Sequence, residues 1–197
     1  MKKILCALPF LAFLAACAPE EPPRVVQDFG PATKINLDVQ TISFADRSGL
    51  QPTSSPYNTN NFKPTIVESI HQWAANSLQA VGAPASGQAS VIVKDATLTS
   101  QAIPHANDIF TREQTSKFVG HVEVEIDANG HDGYALATAQ STHFATLPEH
   151  PTEAEKQNAY MTVLNALMHD LQQNLQAAVQ EHMNRFVITA PMIDGGK

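Results

Sequence analysis

Thiols are almost missing from this chain. Its 197 residues include two cysteines, Cys6 and Cys17, both ahead of Ala18. The sequence after Cys17 therefore forms no disulfide, ligates no zinc through cysteine and offers no cysteine nucleophile. Positive charge is scarce too. Setting aside Lys2 and Lys3, ten basic residues face 19 acidic ones, a net charge near −9. A domain that acidic is poorly suited to nucleic acid or an anionic membrane surface, since both present negative charge to it. The apolar run that starts at Ile4 covers about 13 residues, against the roughly 20 that a spanning helix needs.

Catalytic patterns are lacking as well. There is no Gly-x-Ser-x-Gly elbow, no His-Glu-x-x-His and no glycine-rich phosphate loop. The eight histidines (His71, His105, His121, His131, His143, His150, His169 and His182) form no pair at ligand spacing on one element. The loosest candidate is a cross-strand pairing of His121 with His143. Asp127, Asn129 and Asp132 sketch a calcium loop, but Asp132 stands where that loop needs glycine and Thr138 where it needs glutamate. Glu123 and Glu125 are two acids on one strand face, an ordinary solvent-facing arrangement. These absences predict a protein without catalytic residues, metal or cofactor, and therefore not an enzyme.

What is present begins at the amino terminus. Lys2 and Lys3 precede the apolar stretch from Ile4 to Phe13, and small residues lead to Cys17. This is the layout of a secretory signal. Leu14-Ala15-Ala16-Cys17 resembles the lipobox of bacterial lipoproteins. The resemblance implies removal of residues 1–16, acylation of Cys17 and membrane attachment through it. More than one acyl chain gives stable anchoring, at about 0.8 kcal/mol per buried CH2. Ala18, rather than Asp, follows the cysteine, which in that family favours the outer membrane facing the periplasm. Residues 17–33 then read as the lipidated cysteine and a tether, with Pro19, Pro22, Pro23 and Pro31 among charged residues. At about 3.1 Å per residue such a tether reaches roughly 50 Å.

Residues 34–190 carry the periodic patterns of one domain, and 191–197 form a tail. Ile35, Leu37 and Val39 alternate as on a half-buried strand; the phase slips before Ile42 and Phe44, which predicts a bulge or an early strand end. Residues 45–63 lack any period. Pro64 to Gly82 predicts a helix with Ile66, Ile70, Trp73, Ala74 and Val81 on one face. Three strands follow, over 88–101, 117–127 and 134–146, the last two joined by a hairpin through Asn129-Gly130. Ala135, Ala137 and Ala139 give the last strand a small-residue face for close approach of a helix. Thr152-Glu153-Ala154-Glu155 is a capping box that opens a helix predicted to run to about Val187. Either it bends or its last turns project to meet something else.

The order β-α-β-β-β-α predicts an α+β two-layer sandwich: a mostly antiparallel four-stranded sheet with two helices on one face. Trp73-Ala74, Leu78 to Gly82, Gly87 to Ala96 and Leu147-Pro148-Glu149 resemble an uncharacterised family of bacterial envelope lipoproteins. In architecture alone the chain is similar to lipopolysaccharide-assembly lipoproteins and to auxiliary lipoproteins of ABC transport systems. These likenesses imply a lipid-anchored envelope protein with a non-enzymatic binding or assembly role, whose partners are the membrane, through Cys17, and an envelope protein or lipid. Tyr57, Phe62, Trp73 and the far end of the last helix are the candidate contacts. The alternative is a small-molecule or lipid carrier with a pocket between helices and sheet near Trp73.

Overall fold

The computed structural model describes residues 23–31, 33–50, 61–104, 114–131 and 133–188. Its main sheet has the order β2-β4-β5-β6, built from Thr41–Asp46, Gly87–Ala102, Gln114–Gly130 and Gly133–Pro148. Helices α1 (Ile66–Ser77) and α2 (Glu153–His182) supply the second layer, so the fold is α+β. β4, β5 and β6 form an antiparallel meander, whereas β2 pairs with β4 in parallel. The parallel pairing follows from the connection: α1 lies between the two strands and returns the chain to the same end of the sheet.

The expected first strand, 34–39, ends early. β1 is only Ile35–Leu37, and it pairs in parallel with a short β3, Leu78–Ala80, in a separate two-stranded sheet. Asp38 N donates to Phe186 O at 2.7 Å and Val39 N to Leu37 O at 2.8 Å, which turns the chain before β2. The turn lets Leu37 and Val39 both bury completely while Ile42 and Phe44 pack against the same core. The helix expected to continue to Gly82 stops at Ser77 for a related reason. Val81 N donates to Leu37 O and Gly82 N to Val39 O, both at 3.0 Å, so these residues serve β1 rather than a helix end.

Capping boxes open both helices. Thr65 accepts from Glu68 N at 3.1 Å while Glu68 Oε2 accepts from Thr65 N at 2.8 Å, and Thr152 with Glu155 repeats the arrangement. Phe118, Val122, Val124 and Ile126 of β5 point into the core beneath α2. Gly120 continues that row. A Cβ there would lie 2.6 Å from Val163 Cγ1 and 2.7 Å from Leu167 Cδ1, so α2 crosses the sheet at contact distance. Ala135, Ala137 and Ala139 are buried on the same face of β6, which is the close approach that their size predicted.

The far end of α2 differs from expectation. Instead of running to Val187, the helix closes at His182 with Met183 N bonded to Val179 O. A 3₁₀ turn, Asn184–Phe186, folds Phe186 into the core. Val187 then bridges Leu37 in antiparallel fashion, and Ile188 N donates to Asn36 O at 2.9 Å. The last turns do not project, because the chain returns to β1; Ile188 stays exposed there beside an open cleft of about 500 Å3 lined by Val179, Gln180 and Val187.

Candidate binding site

Of the expected contact residues, Cys17 and Tyr57 lie outside the described residues. The other two are inside the protein. Phe62 stacks on Tyr160 with ring centroids 4.7 Å apart and meets Phe118 edge-on at 5.6 Å. Tyr160 is fully buried and its hydroxyl donates to Pro64 O at 2.7 Å. Burial, reinforced by the nearby Glu68 charge, pushes its phenol pKa above the ordinary value. Trp73 is 5% exposed on α1. Beside it Phe29, Pro31, His169 and Gln172 line a cleft of about 210 Å3. That cleft lies under the amino-terminal segment, with Ile35 of β1 in its wall. A neighbouring open cleft of about 490 Å3 shares Phe29, Trp73 and Gln172 and is within the roughly 300–1,000 Å3 of ordinary small-molecule pockets.

Residues 23–29, expected within the extended tether, lie along α2. Asn158 receives Val25 N on Oδ1 at 2.9 Å and donates Nδ2 to Pro23 O at 3.0 Å. Asn165 repeats this with Asp28 N at 3.0 Å and Val26 O at 2.8 Å. Gln172 then donates to Phe29 O at 3.1 Å, and the Phe29 ring packs against the core. The three amides recur every seven residues on one face of α2. Their spacing was readable in the sequence, but nothing marked their partner.

The sheet's outer face is polar at its centre. Lys94 sits 3.3 Å from Glu125 and 3.6 Å from Glu123, and these carboxylates, Glu125 foremost, raise the ammonium pKa above its usual value. His121 Nδ1 lies 2.8 Å from Thr142 Oγ1 on this face. His143 is on the other: its Nε2 is 2.7 Å from Asp170 Oδ2 of α2. The loose cross-strand candidate, His121 with His143, does not form, since His121 is in register with Thr142 and successive strand residues face opposite ways. No described hydroxyl bonds to His143 or Asp170. Ser141 Oγ, next along the same face, is buried without a partner. Among the described residues no three His, Cys, Asp or Glu side chains gather as a metal site.

The outer rim is different. β6 ends the sheet, and its 16 residues include no Asp, Glu, Lys or Arg. Tyr134, Leu136 and Phe144 on its outer face are exposed, Phe144 most of all at 63%. Lys117 Nζ sits 5.3 Å from the Phe144 ring centroid. An open groove of about 700 Å3 runs from Phe144 and Pro148 to Glu155 and Thr162 on the first turns of α2. The wetness expected of this face marked it as solvent, so its apolar rim was overlooked. The alternation Tyr134, Leu136, then Phe144 was the available signal.

No described helix is long and apolar enough to cross a membrane. No protein-family model and no curated protein matches the chain. Among solved structures it is similar to rare lipoprotein B of Shewanella oneidensis, with TM-score 0.41 and 9% identity over 74% of this chain and 98% of that one. It is also similar to a minor lipoprotein of Acinetobacter baumannii, with TM-score 0.38 and 14% identity over 78% and 99%. Lipoprotein B of Nitrosomonas europaea gives TM-score 0.41 and 12% identity over 79% and 93%. Likeness at this level assigns no activity.

Proposed function

We propose that this is a lipid-anchored protein of the bacterial envelope, acylated at Cys17, that binds an envelope protein through the free edge of β6 and performs no chemistry. The observation that carries the binding role is the edge itself. Proteins ordinarily blunt a sheet edge with charge, proline, a bulge or shortness, because unpaired N–H and C=O groups recruit other strands. β2, at the opposite edge, is six residues long and runs into Asp46 and Arg47. β6 is 16 residues long and uncharged. Asn174 Nδ2 donates to Gln140 O at 3.1 Å, so this carbonyl points away from β5, and α2 already meets it there. A strand added here gains main-chain hydrogen bonds, with Tyr134, Leu136 and Phe144 available to its side chains.

Acylation at Cys17 is supported by the lipobox, and Ala18 after it favours the outer membrane facing the periplasm. Crosslinking in intact cells followed by purification tests the binding role. Thr138→Lys places a charge on the exposed side of β6 without entering the core. It is expected to reduce recovery of a partner that wild type captures and Cys17→Ala loses. A partner captured equally by the Thr138→Lys chain, or none above the Cys17→Ala control, refutes the reading.

A further inference from the structure

We infer that residues 23–29 seat the domain on the membrane in one orientation, with the amino-terminal end of α2 towards the lipid and the β5–β6 hairpin away from it. This rests on acylation of Cys17. The geometry begins with the amide ladder of α2. Asn158, Asn165 and Gln172 are separated by two helical turns each, about 10.5 Å at 1.5 Å per residue. The segment they hold advances three residues per rung, about 10 Å at 3.3 Å per residue. The two repeats match, so Asn158 and Asn165 each place both a donor and an acceptor on main-chain groups of the segment. Phe29, half-buried against the core, closes the series and fixes the register.

Direction follows from the rungs. Pro23 and Val25 meet Asn158, and Phe29 meets Gln172, so segment and helix run parallel. The chain therefore enters this contact at the amino-terminal half of α2. Cys17 precedes Pro23 by six residues, which reach at most about 21 Å when fully extended. From Asn158 to His182 along the helix is about 36 Å. Acyl chains on Cys17 thus stay near the Pro148–Glu153 end and cannot gather at the hairpin or the Phe186 end.

Basic Arg24, Lys63, Lys117 and Lys156 alternate at that end with acidic Glu68, Glu149, Glu153 and Glu155, and Glu20 and Glu21 lie in the segment leading to it, so the ladder and the short reach from Cys17, rather than charge, set the orientation. The uncharged β6 edge then stands upright from the membrane, since β6 runs from the hairpin at Gly133 down to Pro148.

The full acylated chain, in vesicles of phosphatidylcholine with one-fifth phosphatidylglycerol and an acceptor dye on a headgroup, gives the test. The mature chain's one thiol is the acylated one, so a new cysteine takes a donor dye cleanly. Glu153→Cys and Glu181→Cys mark the two ends of α2, with side chains 88% and 75% exposed. Energy transfer to the headgroup dye is expected to be several-fold stronger from position 153. The gap should close when Asn158, Asn165 and Gln172 are all changed to Ala. Val25→Pro with Asp28→Pro should close it too, because it removes the two donated N–H groups and leaves α2 untouched. Equal transfer from both positions in wild type, or a gap that persists in both ladder variants, overturns the orientation while vesicle flotation still holds. Loss of flotation by the wild-type chain overturns the anchor, and the orientation with it.

Discussion

Single residues show how far a strand pattern can be read. The alternation over 117–127 places Phe118, Gly120, Val122, Val124 and Ile126 on one face, and each of them faces the core or α2. The same pattern could not say which strand neighbours meet, so His121 with His143 stood as a loose possibility that register alone removes, by placing them on opposite faces. Phe62 was harder still, because the Ser- and Asn-rich stretch around it has no period. The rings of Phe118 and of Tyr160, the latter almost a hundred positions later, make its place a core one. Tyr160 itself carries a pH signature. Its pKa is raised in the fold, so the neutral phenol is favoured there. Between the ordinary value near 10 and that raised value the folded state holds the proton that the unfolded chain has lost. The stabilisation is therefore complete below about pH 10 and declines as pH rises above it. Urea unfolding across pH 8 to 11 should show wild type losing stability more steeply than Tyr160→Phe. Parallel curves for the two proteins would contradict this burial of the phenol.

Among elements, the long ones were legible and the short ones were not. The strands from residue 87 to 148 and both helices carry their own period, and each buries a face that the pattern names. β1 and β3 are three residues each and owe their existence to one another across about forty positions of chain. No local signal contains that pairing. The end of α1 was misplaced by the same pairing, since Leu78 and Val81 continue the helical stripe yet are taken by β1. Its start was legible in principle: Thr65-Ile66-Val67-Glu68 is a capping box, whereas Pro64 drew attention as a first-turn residue. Thr65→Ala removes the acceptor for Glu68 N and should cost about 0.5–2 kcal/mol. Thr65→Ser keeps that acceptor and should recover most of the loss. Chemical denaturation of the pair checks this. The Glu68 carboxylate, which accepts from Thr65 N and from Lys63, is held below the ordinary glutamate pKa. Its share of the cap is therefore present at neutral pH and above the ordinary value, and fades as pH falls through the lowered one.

At the scale of the whole molecule, segments distant in sequence hold one another. The turn after α2 brings Phe186 beneath the hairpin: a Cβ on Gly130 would lie 3.3 Å from its ring. Phe186 O accepts from Asp38 N, Ile188 N reaches Asn36, and Leu37 O in turn accepts from Val81 N. β1, β3 and the carboxy-terminal segment are therefore one assembly, although they come from three parts of the chain. If that assembly belongs to the core, Phe186→Ala should act as a buried large-to-small change, costing about 3–5 kcal/mol. A loss of that size is a large share of the roughly 5–15 kcal/mol available to a domain. The whole unfolding transition should then move together. Trp73 is the only tryptophan and sits on α1, so its fluorescence follows that helix, while far-ultraviolet circular dichroism follows the whole fold. Both probes should give coincident urea curves in wild type and in Phe186→Ala, with the midpoint lowered and the slope unchanged. Separation of the two curves in the variant, with Trp73 keeping the wild-type midpoint, would instead make the carboxy-terminal segment an appendage that frays alone. The hydrogen bonds linking it to β1, and β1 to β3, argue for the coincident result.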